Sequence, residues 1–225
     1  MDKDLESMFT RAEELLGELE EEYNSCLHAK NVSHEAIHRT HEVLEKLKST
    51  INHTMTKTWT KIIAPGLSDE KKKKSQISFP TSNNSDNFRS ALGRMMMKDP
   101  DKTHGNLYDF LLSKQPFSSG ENQWIRTLSD VSGEGKHIRL IPQIRVERRR
   151  IRLKKPELGE VSWDLDKVKF GEGVKAKIGR GVIKKVEIWV SFILEGYGIN
   201  ALGFCKEAYQ KTRSLVEEMV DTFEL

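Results

Sequence analysis

Histidines and glutamates crowd one flank of the segment from Ser33 to Ile63, which the spacing of its apolar residues predicts to be a single helix. The segment contains His-Glu-x-x-His, the pattern of zinc hydrolases. In a helix, this spacing places two imidazoles one turn apart, so both can bind one zinc ion while the glutamate between them acts as a general base. The residues of this flank that could bind a metal are His34, His38, His41 and Glu45.

Two details weigh against a zinc hydrolase. Arg39 follows the second histidine of the pattern, where zinc-hydrolase helices are mostly apolar, and no third ligand follows in a familiar form. We therefore expect these histidines to border a structural face of the helix. A metal-dependent hydrolase is kept as a third interpretation, and no cofactor is expected.

A second group of side chains could contact phosphates. Arginines on one face of a strand can bind phosphates without reading a base sequence. The run lacks the interleaved aromatic residues that single-strand platforms use, and a solvated edge strand is the alternative interpretation. The bases of this predicted strand are Arg145, Arg148, Arg149, Arg150, Arg152, Lys154 and Lys155.

The charge of the chain is unevenly placed. The net charge of the 225 residues is +3, yet residues 1–22 hold nine acids against Lys3 and Arg11. Residues 138–157 hold eight bases against two acids. Such asymmetry is typical of a polyanion partner, or of complementarity within a molecule or between subunits.

Composition indicates a cytoplasmic protein without a membrane partner. No apolar run approaches the roughly 18 residues expected of a membrane-spanning helix, and the acidic N-terminus lacks the features of a signal peptide. The two cysteines, Cys26 and Cys205, are expected to be free, buried thiols.

Periodicity predicts the elements that would position these side chains. Residues 2–29 and 33–63 each carry one apolar stripe and predict an αα-hairpin. Ser33 is the expected N-cap of the second helix, and Ala64-Pro65-Gly66 is its expected end. Residues 66–86 predict an exposed loop with a solvated lysine run at residues 71–74.

Short helices and then strands are predicted beyond this loop. The helices are expected at Phe88–Met97, with Asp86 or Ser85 as the cap, and later at Asn106–Leu112 and Gln123–Val131. From residue 136 the apolar residues alternate, which predicts three or four antiparallel strands before an amphipathic C-terminal helix.

These elements predict an α+β class. The expected organisation is a helical hairpin (1–65), an exposed loop (66–86), short helices (87–135), and an antiparallel three- to four-stranded sheet with a C-terminal helix (136–225). The parts are expected to form one compact domain.

Several ordered elements resemble those of an uncharacterised bacterial protein family. Residues 37–47 resemble its L-H-N-L-R-S-A-L-D-H-L helix, residues 79–81 its Phe-Pro-Ile element, and residues 115–117 its Gln-Pro-Tyr element. Residues 124–140 resemble its Asp-Lys-His-Arg segment, although Gly135 stands in place of the aspartate and the arginine is displaced to Arg139. The resemblance covers residues 33–195 and implies an architecture without an assigned activity. It suggests a polar pocket where the helical and sheet parts join, formed by His38, Glu45, Lys136 and His137.

The sequence shows two long amphipathic helices and no complete catalytic constellation. We interpret the chain as a non-enzymatic, cytoplasmic binding or assembly protein of prokaryotic or phage origin that self-associates through its helices. The second interpretation is a nucleic-acid-binding protein or ribonuclease that uses the basic strand, in a defence context. The third is a metal-dependent hydrolase that acts through His34, His38 and His41.

Overall fold

The computed structural model describes residues 1–29, 33–134, 150–155, 159–164, 182–183, 193–194 and 197–225. Eight α-helices lie within these residues, with 3-10 turns at Ala64–Gly66 and Gly120–Asn122. The helices are α1 (Lys3–Ala29), α2 (His34–Ile62), α3 (Asp69–Lys74), α4 (Ser85–Arg94), α5 (Pro100–Thr103), α6 (Gly105–Ser113), α7 (Gln123–Glu134) and α8 (Ala201–Phe223).

Helices α1 and α2 form an antiparallel hairpin, and α8 packs against both. Asp2, just before α1, binds Lys57 near the end of α2, which shows that the two helices run in opposite directions. The ring of Phe9 on α1 meets Tyr209 on α8 edge to face, with 6.0 Å between ring centres. Apolar stripes on three helices therefore bury one another, as amphipathic helices require.

Buried threonines line the inner side of α2. Thr40, Thr54 and Thr58 each donate a hydroxyl hydrogen bond to the backbone carbonyl four residues earlier, at 2.7 to 2.9 Å. Burial therefore leaves none of these three hydroxyls unsatisfied, which removes the main cost of a polar side chain in a core. The large side chains beside them are Leu44, Leu47, Ile51, Met55 and Trp59.

Helix α4 is fixed to α2 by a hydrogen bond from a buried side chain. The indole N–H of Trp59 donates to the carbonyl of Met95 at 2.8 Å, just after α4 ends. The predicted cap of α4 is wrong: Asn84 is the N-cap, and its side chain accepts from the backbone N–H of Asn87 at 2.9 Å. Asparagine is as effective an N-cap as aspartate or serine, so composition alone does not choose among them.

The strands are short. Strand β1 (Arg150–Lys155) pairs antiparallel with β2 (Gly159–Asp164) and with β3 (Val182–Ile183), in the order β2-β1-β3. Strand β4 (Ile193–Leu194) pairs with β5 (Ile199–Asn200), directly before α8.

The predicted α+β class is wrong. The described part of the chain is mostly helical. Apart from Leu194, every residue of its hydrophobic core lies on a helix or on a connection between helices. The α+β class assumes that the alternating residues form a sheet that is a separate layer of the fold. Alternation predicts local strand conformation, whereas the class depends on which elements share the core.

Candidate functional site

The histidine flank lies on α2, and its candidate ligands do not converge. His34 and His38 are exposed, while His41 is half-buried with its Nδ1 3.9 Å from Oε2 of Glu45. The Nε2 atom of His41 is buried and has no hydrogen-bond partner among the residues that the structure describes. Across those residues, no group of three or more His, Cys, Asp or Glu side chains is arranged to hold a metal ion.

Arg39 forms ion pairs with three carboxylates on and beside this flank. Its guanidinium binds Glu35 at 2.8 Å and Glu42 at 3.0 Å on its own helix, and Glu18 of α1 at 2.7 Å. Desolvation acts to lower the pKa of Arg39, but Glu18, Glu42 and Glu35 raise it overall, so the guanidinium stays charged. Glu35 is the residue that a zinc hydrolase would use as a base, and here it is held by Arg39.

Arg11 extends this network along α1. It binds Glu14 at 2.9 Å and Glu18 at 3.3 Å, so Glu18 bridges two arginines. Part of the network lines a polar cleft of about 580 Å³ between α1 and α2. Both arginines of the cleft are already bound by at least two carboxylates. We name the connected residues the Arg39 cluster: Arg11, Glu14, Glu18, Glu35, Arg39 and Glu42.

Hydrogen bonds of Ser33 at the start of α2 align α1 with α2 next to the Arg39 cluster. As predicted, Ser33 is the N-cap, and its hydroxyl accepts from the backbone N–H of Ala36 at 2.9 Å. The same hydroxyl donates to Oε1 of Glu22 on α1 at 2.5 Å. This link joins the end of α1 to the beginning of α2, and it places Glu18 within reach of Arg39.

The two cysteines are buried free thiols, as the sequence predicts. Burial raises the pKa of the Cys205 thiol well above its ordinary value of 9.0. A thiol is a nucleophile in its deprotonated form, so Cys205 is inert at neutral pH.

The predicted polar pocket is described in part. His38 and Glu45 are both exposed and lie seven residues apart on α2. Lys136 and His137 lie outside the described residues, so a pocket that joins the four side chains stays a prediction.

The predicted basic strand is also described in part. Arg150, Arg152, Lys154 and Lys155 belong to β1, whereas Arg145, Arg148 and Arg149 lie outside the residues that the structure describes. The backbone register sets Arg150 opposite Asp164, and Lys154 opposite Glu160, on β2. The contact of these bases with phosphate stays a prediction.

A basic surface lies on α3, in the segment that the sequence predicts to be an exposed loop. The helix reads Asp-Glu-Lys-Lys-Lys-Lys and buries none of its residues. Lys72 and Lys74 bind acids of the same helix at 3.5 and 2.6 Å. Lys71 and Lys73 are exposed and form no ion pair with any described residue. Acids in the first turn and bases in the last favour a helix here, and this is the signal that could have predicted it.

Arg94 adds a cation beside α3. The backbone N–H of Gln76 donates to the carbonyl of Arg94 at 3.0 Å, which brings the C-terminal ends of α3 and α4 together. Arg94 is exposed and, within the described part of the chain, has no carboxylate partner. We name residues 71–74 and Arg94 the lysine edge.

Helix α1 carries the opposite charge on its outer side. Glu6, Glu13, Glu20 and Glu21 are exposed and lie within about 100° of one another around the helix axis. Glu20 binds Lys206 of α8 at 2.6 Å. The other three form no ion pair with a described residue. We name these four residues the glutamate stripe.

A second cleft, of about 430 Å³, lies where the Gly120–Asn122 turn and α7 face α8. Lys114 at its edge binds both carboxylate oxygens of Glu218, at 2.8 and 2.6 Å. Lys211 on the opposite wall binds Glu207 at 2.7 Å. Both lysines of this cleft are therefore engaged by carboxylates of α8, in contrast to Lys71 and Lys73 of the lysine edge.

Comparison with protein-family models, with curated proteins and with solved structures finds no match to this chain. The family resemblance seen in the sequence therefore stays an expectation. Among the residues described, none of the helices combines the length and the apolar composition needed to cross a membrane.

Proposed function

We propose that this protein is a non-enzymatic, cytoplasmic binding and assembly protein that associates with copies of itself. The observation that carries the proposal is the division of its described surface into paired and unpaired charges. The Arg39 cluster closes on itself, whereas the lysine edge and the glutamate stripe keep exposed charges of opposite sign. Complementary surface charges steer the association of protein molecules and fix their relative orientation.

The helical body supports this proposal because it holds both surfaces in place. The apolar stripes of α1, α2 and α8 are buried against one another. Within the described part, the exposed large hydrophobic side chains are those of Met1 and Phe117. Self-association through the helices therefore uses their charged outer faces, and their apolar stripes stay inside each copy.

Light scattering coupled to size-exclusion chromatography tests the proposal. The monomer mass is 25.9 kDa, and we expect a larger mass at low ionic strength that falls as salt is added. Salt shortens the range of exposed charges from about 30 Å at 0.01 M to about 8 Å at 0.15 M. A mass of 25.9 kDa at every salt and protein concentration, with no partner retained in a pulldown, would remove the proposal.

A nucleic-acid-binding protein or ribonuclease is the second candidate, and α3 favours it. Exposed lysines on a projecting helix can contact phosphates of any sequence, together with the bases of β1. An electrophoretic shift assay at several salt concentrations tests this candidate. Binding that weakens steeply with salt would support it, and no shift at low salt would count against it.

A metal-dependent hydrolase through His34, His38 and His41 requires Glu35 to leave Arg39. Elemental analysis of protein purified without a histidine tag tests this third candidate. Stoichiometric zinc, iron or manganese would support it, and their absence would end it.

A further inference from the structure

We infer that the lysine edge of one copy docks on the glutamate stripe of a second copy, in a head-to-tail contact. The inference rests on the proposed self-association and names the two surfaces that perform it. The occupant of the lysine edge is therefore another copy of this chain. The charge-reversal experiment distinguishes this contact from binding of a nucleic acid to the lysine edge.

Both surfaces carry charges that the fold leaves unpaired. Lys71 and Lys73 on one side, and Glu6, Glu13 and Glu21 on the other, form no ion pair within the part of the chain that the structure describes. In the α8 cleft and in the Arg39 cluster, by contrast, the lysines and arginines meet carboxylates of the same molecule. The edge and the stripe can therefore pair their charges with another molecule.

The two surfaces are anchored on opposite sides of α2. Lys57 and Trp59 point about 160° apart, at roughly 100° per residue around the helix. Lys57 binds Asp2 at the start of α1, which bears the glutamate stripe. Trp59 binds the carbonyl of Met95 at 2.8 Å, next to Arg94 of the lysine edge. Because α2 stands between them, a single copy does not bring its own edge and stripe together.

The dimensions of the two surfaces suit this contact. The stripe runs about 22 Å along α1 from Glu6 to Glu21, and the six residues of α3 extend about 9 Å. Because α3 buries none of its residues, its four consecutive lysines point to all sides of the helix. A partner can therefore contact lysines of α3 from any solvent-exposed side. A contact between two different surfaces does not close after two copies, so repetition gives a ring or an open filament.

Charge reversal on each surface tests the inference. The variant K71E/K73E reverses the edge, and E6K/E13K reverses the stripe. The variant K98E/K102E changes the net charge as much as K71E/K73E does. Lys98 and Lys102 are exposed, lie outside both surfaces and form no ion pair with a described residue, so this variant is the matched control. Each is measured at low salt by light scattering, alone and in an equimolar mixture of the first two, and circular dichroism verifies the helical content.

We expect each reversed variant alone to associate at least tenfold more weakly than the wild type, and the control to behave as the wild type. In the mixture, the acidic stripe of one variant meets the intact basic edge of the other, and the two reversed surfaces also match. The mixture should therefore regain association.

Several results would overturn the inference. If the wild type associates and the reversed variants do so equally, or if their mixture stays monomeric, the surfaces are wrong and the proposed assembly function stands. If the wild type is monomeric at every salt concentration and retains no partner, both fail. If K71E/K73E loses binding to a nucleic acid while E6K/E13K still self-associates, the edge serves a polyanion instead.

Discussion

The Arg39 cluster and the lysine edge both concentrate charge, and they differ in whether the charges find partners. Arg39 lies within 3.0 Å of three carboxylates from two helices. On α3, two of four lysines have no carboxylate partner in the described part of the chain. Under the proposed function, pairing rather than charge density separates the structural Arg39 cluster from the lysine edge.

The largest effect is expected at Gln115, which anchors the segment that follows the lysine edge. Its buried side chain accepts from the backbone N–H of Ser82 at 3.0 Å and donates to the carbonyl of Pro80 at 2.9 Å. Gln115→Leu keeps the volume but leaves both backbone groups buried without a partner. We expect the free energy of unfolding to fall by about 2 to 4 kcal/mol in urea denaturation.

The matched control for this anchor is Gln210→Leu, because Gln210 is exposed on α8. Its free energy of unfolding should change by less than about 0.5 kcal/mol. Equal effects at the two positions would contradict an anchoring role for Gln115.

A smaller effect is expected at Ser33, which caps α2 and links it to Glu22. Ser33→Ala should lower the free energy of unfolding by about 1 kcal/mol, and Ser33→Thr should retain most of the stability. Ser68 occupies the same position before α3 but makes no side-chain capping hydrogen bond. Ser68→Ala should therefore leave the free energy of unfolding nearly unchanged. A loss of stability at Ser68 as large as that at Ser33 would contradict the capping role of Ser33.

A still smaller and salt-dependent effect is expected at Arg39. Arg39→Gln removes three ion pairs, so the melting temperature should fall at low salt and the deficit should shrink as salt screens the pairs. Self-association should not change. Arg94→Gln is the counterpart in the lysine edge, and it should weaken association without lowering the melting temperature. If Arg39→Gln weakened association and Arg94→Gln lowered the melting temperature, the roles assigned to the two regions would be wrong.

The smallest effect is expected from Asp2, whose pKa is held below its ordinary value of 3.8 mainly by the hydrogen bond from Lys57. Because the pKa is lower in the folded state, ionised Asp2 stabilises the fold fully above pH 3.8, and this contribution is lost as the pH falls through the folded pKa. Asp2→Asn should therefore cost a little stability at pH 7 and almost none in strong acid. Exposure keeps the effect small. Denaturation at both pH values measures the difference, and a pH-independent difference would exclude this linkage.

Local features of the fold could be predicted from the sequence. The cap at Ser33 and the helix end before Pro65 depend on nearby residues, and the structure confirms both. The buried side chains from Leu44 to Trp59 follow the predicted stripe because helical periodicity is a property of the segment itself. The class was wrong because a class depends on contacts between distant elements, and alternating residues do not reveal these contacts.

The candidate site could be predicted only in part, for a related reason. The pairs of Arg39 with Glu35 and Glu42 follow from spacings of four and three residues on one helix. The pair with Glu18 depends on how α1 and α2 are aligned. On α3, Lys73 lies four residues after Asp69, yet no ion pair forms between them. Spacing shows which pairs a helix allows, and the structure shows which of them form.

Zero-length cross-linking between isotopically distinct copies tests the central claim most directly. Carbodiimide joins lysines to carboxylates in contact, and mixing ¹⁴N- and ¹⁵N-labelled protein marks links between copies by mass. Nζ of Lys206 lies 2.6 Å from Oε1 of Glu20 in the same molecule. The cross-link between these two residues is therefore the internal control and should carry a single label. We predict mixed-label peptides that join Lys71 or Lys73 to the glutamate stripe. Mixed-label links confined to other surfaces, or single-label links alone, would contradict the account.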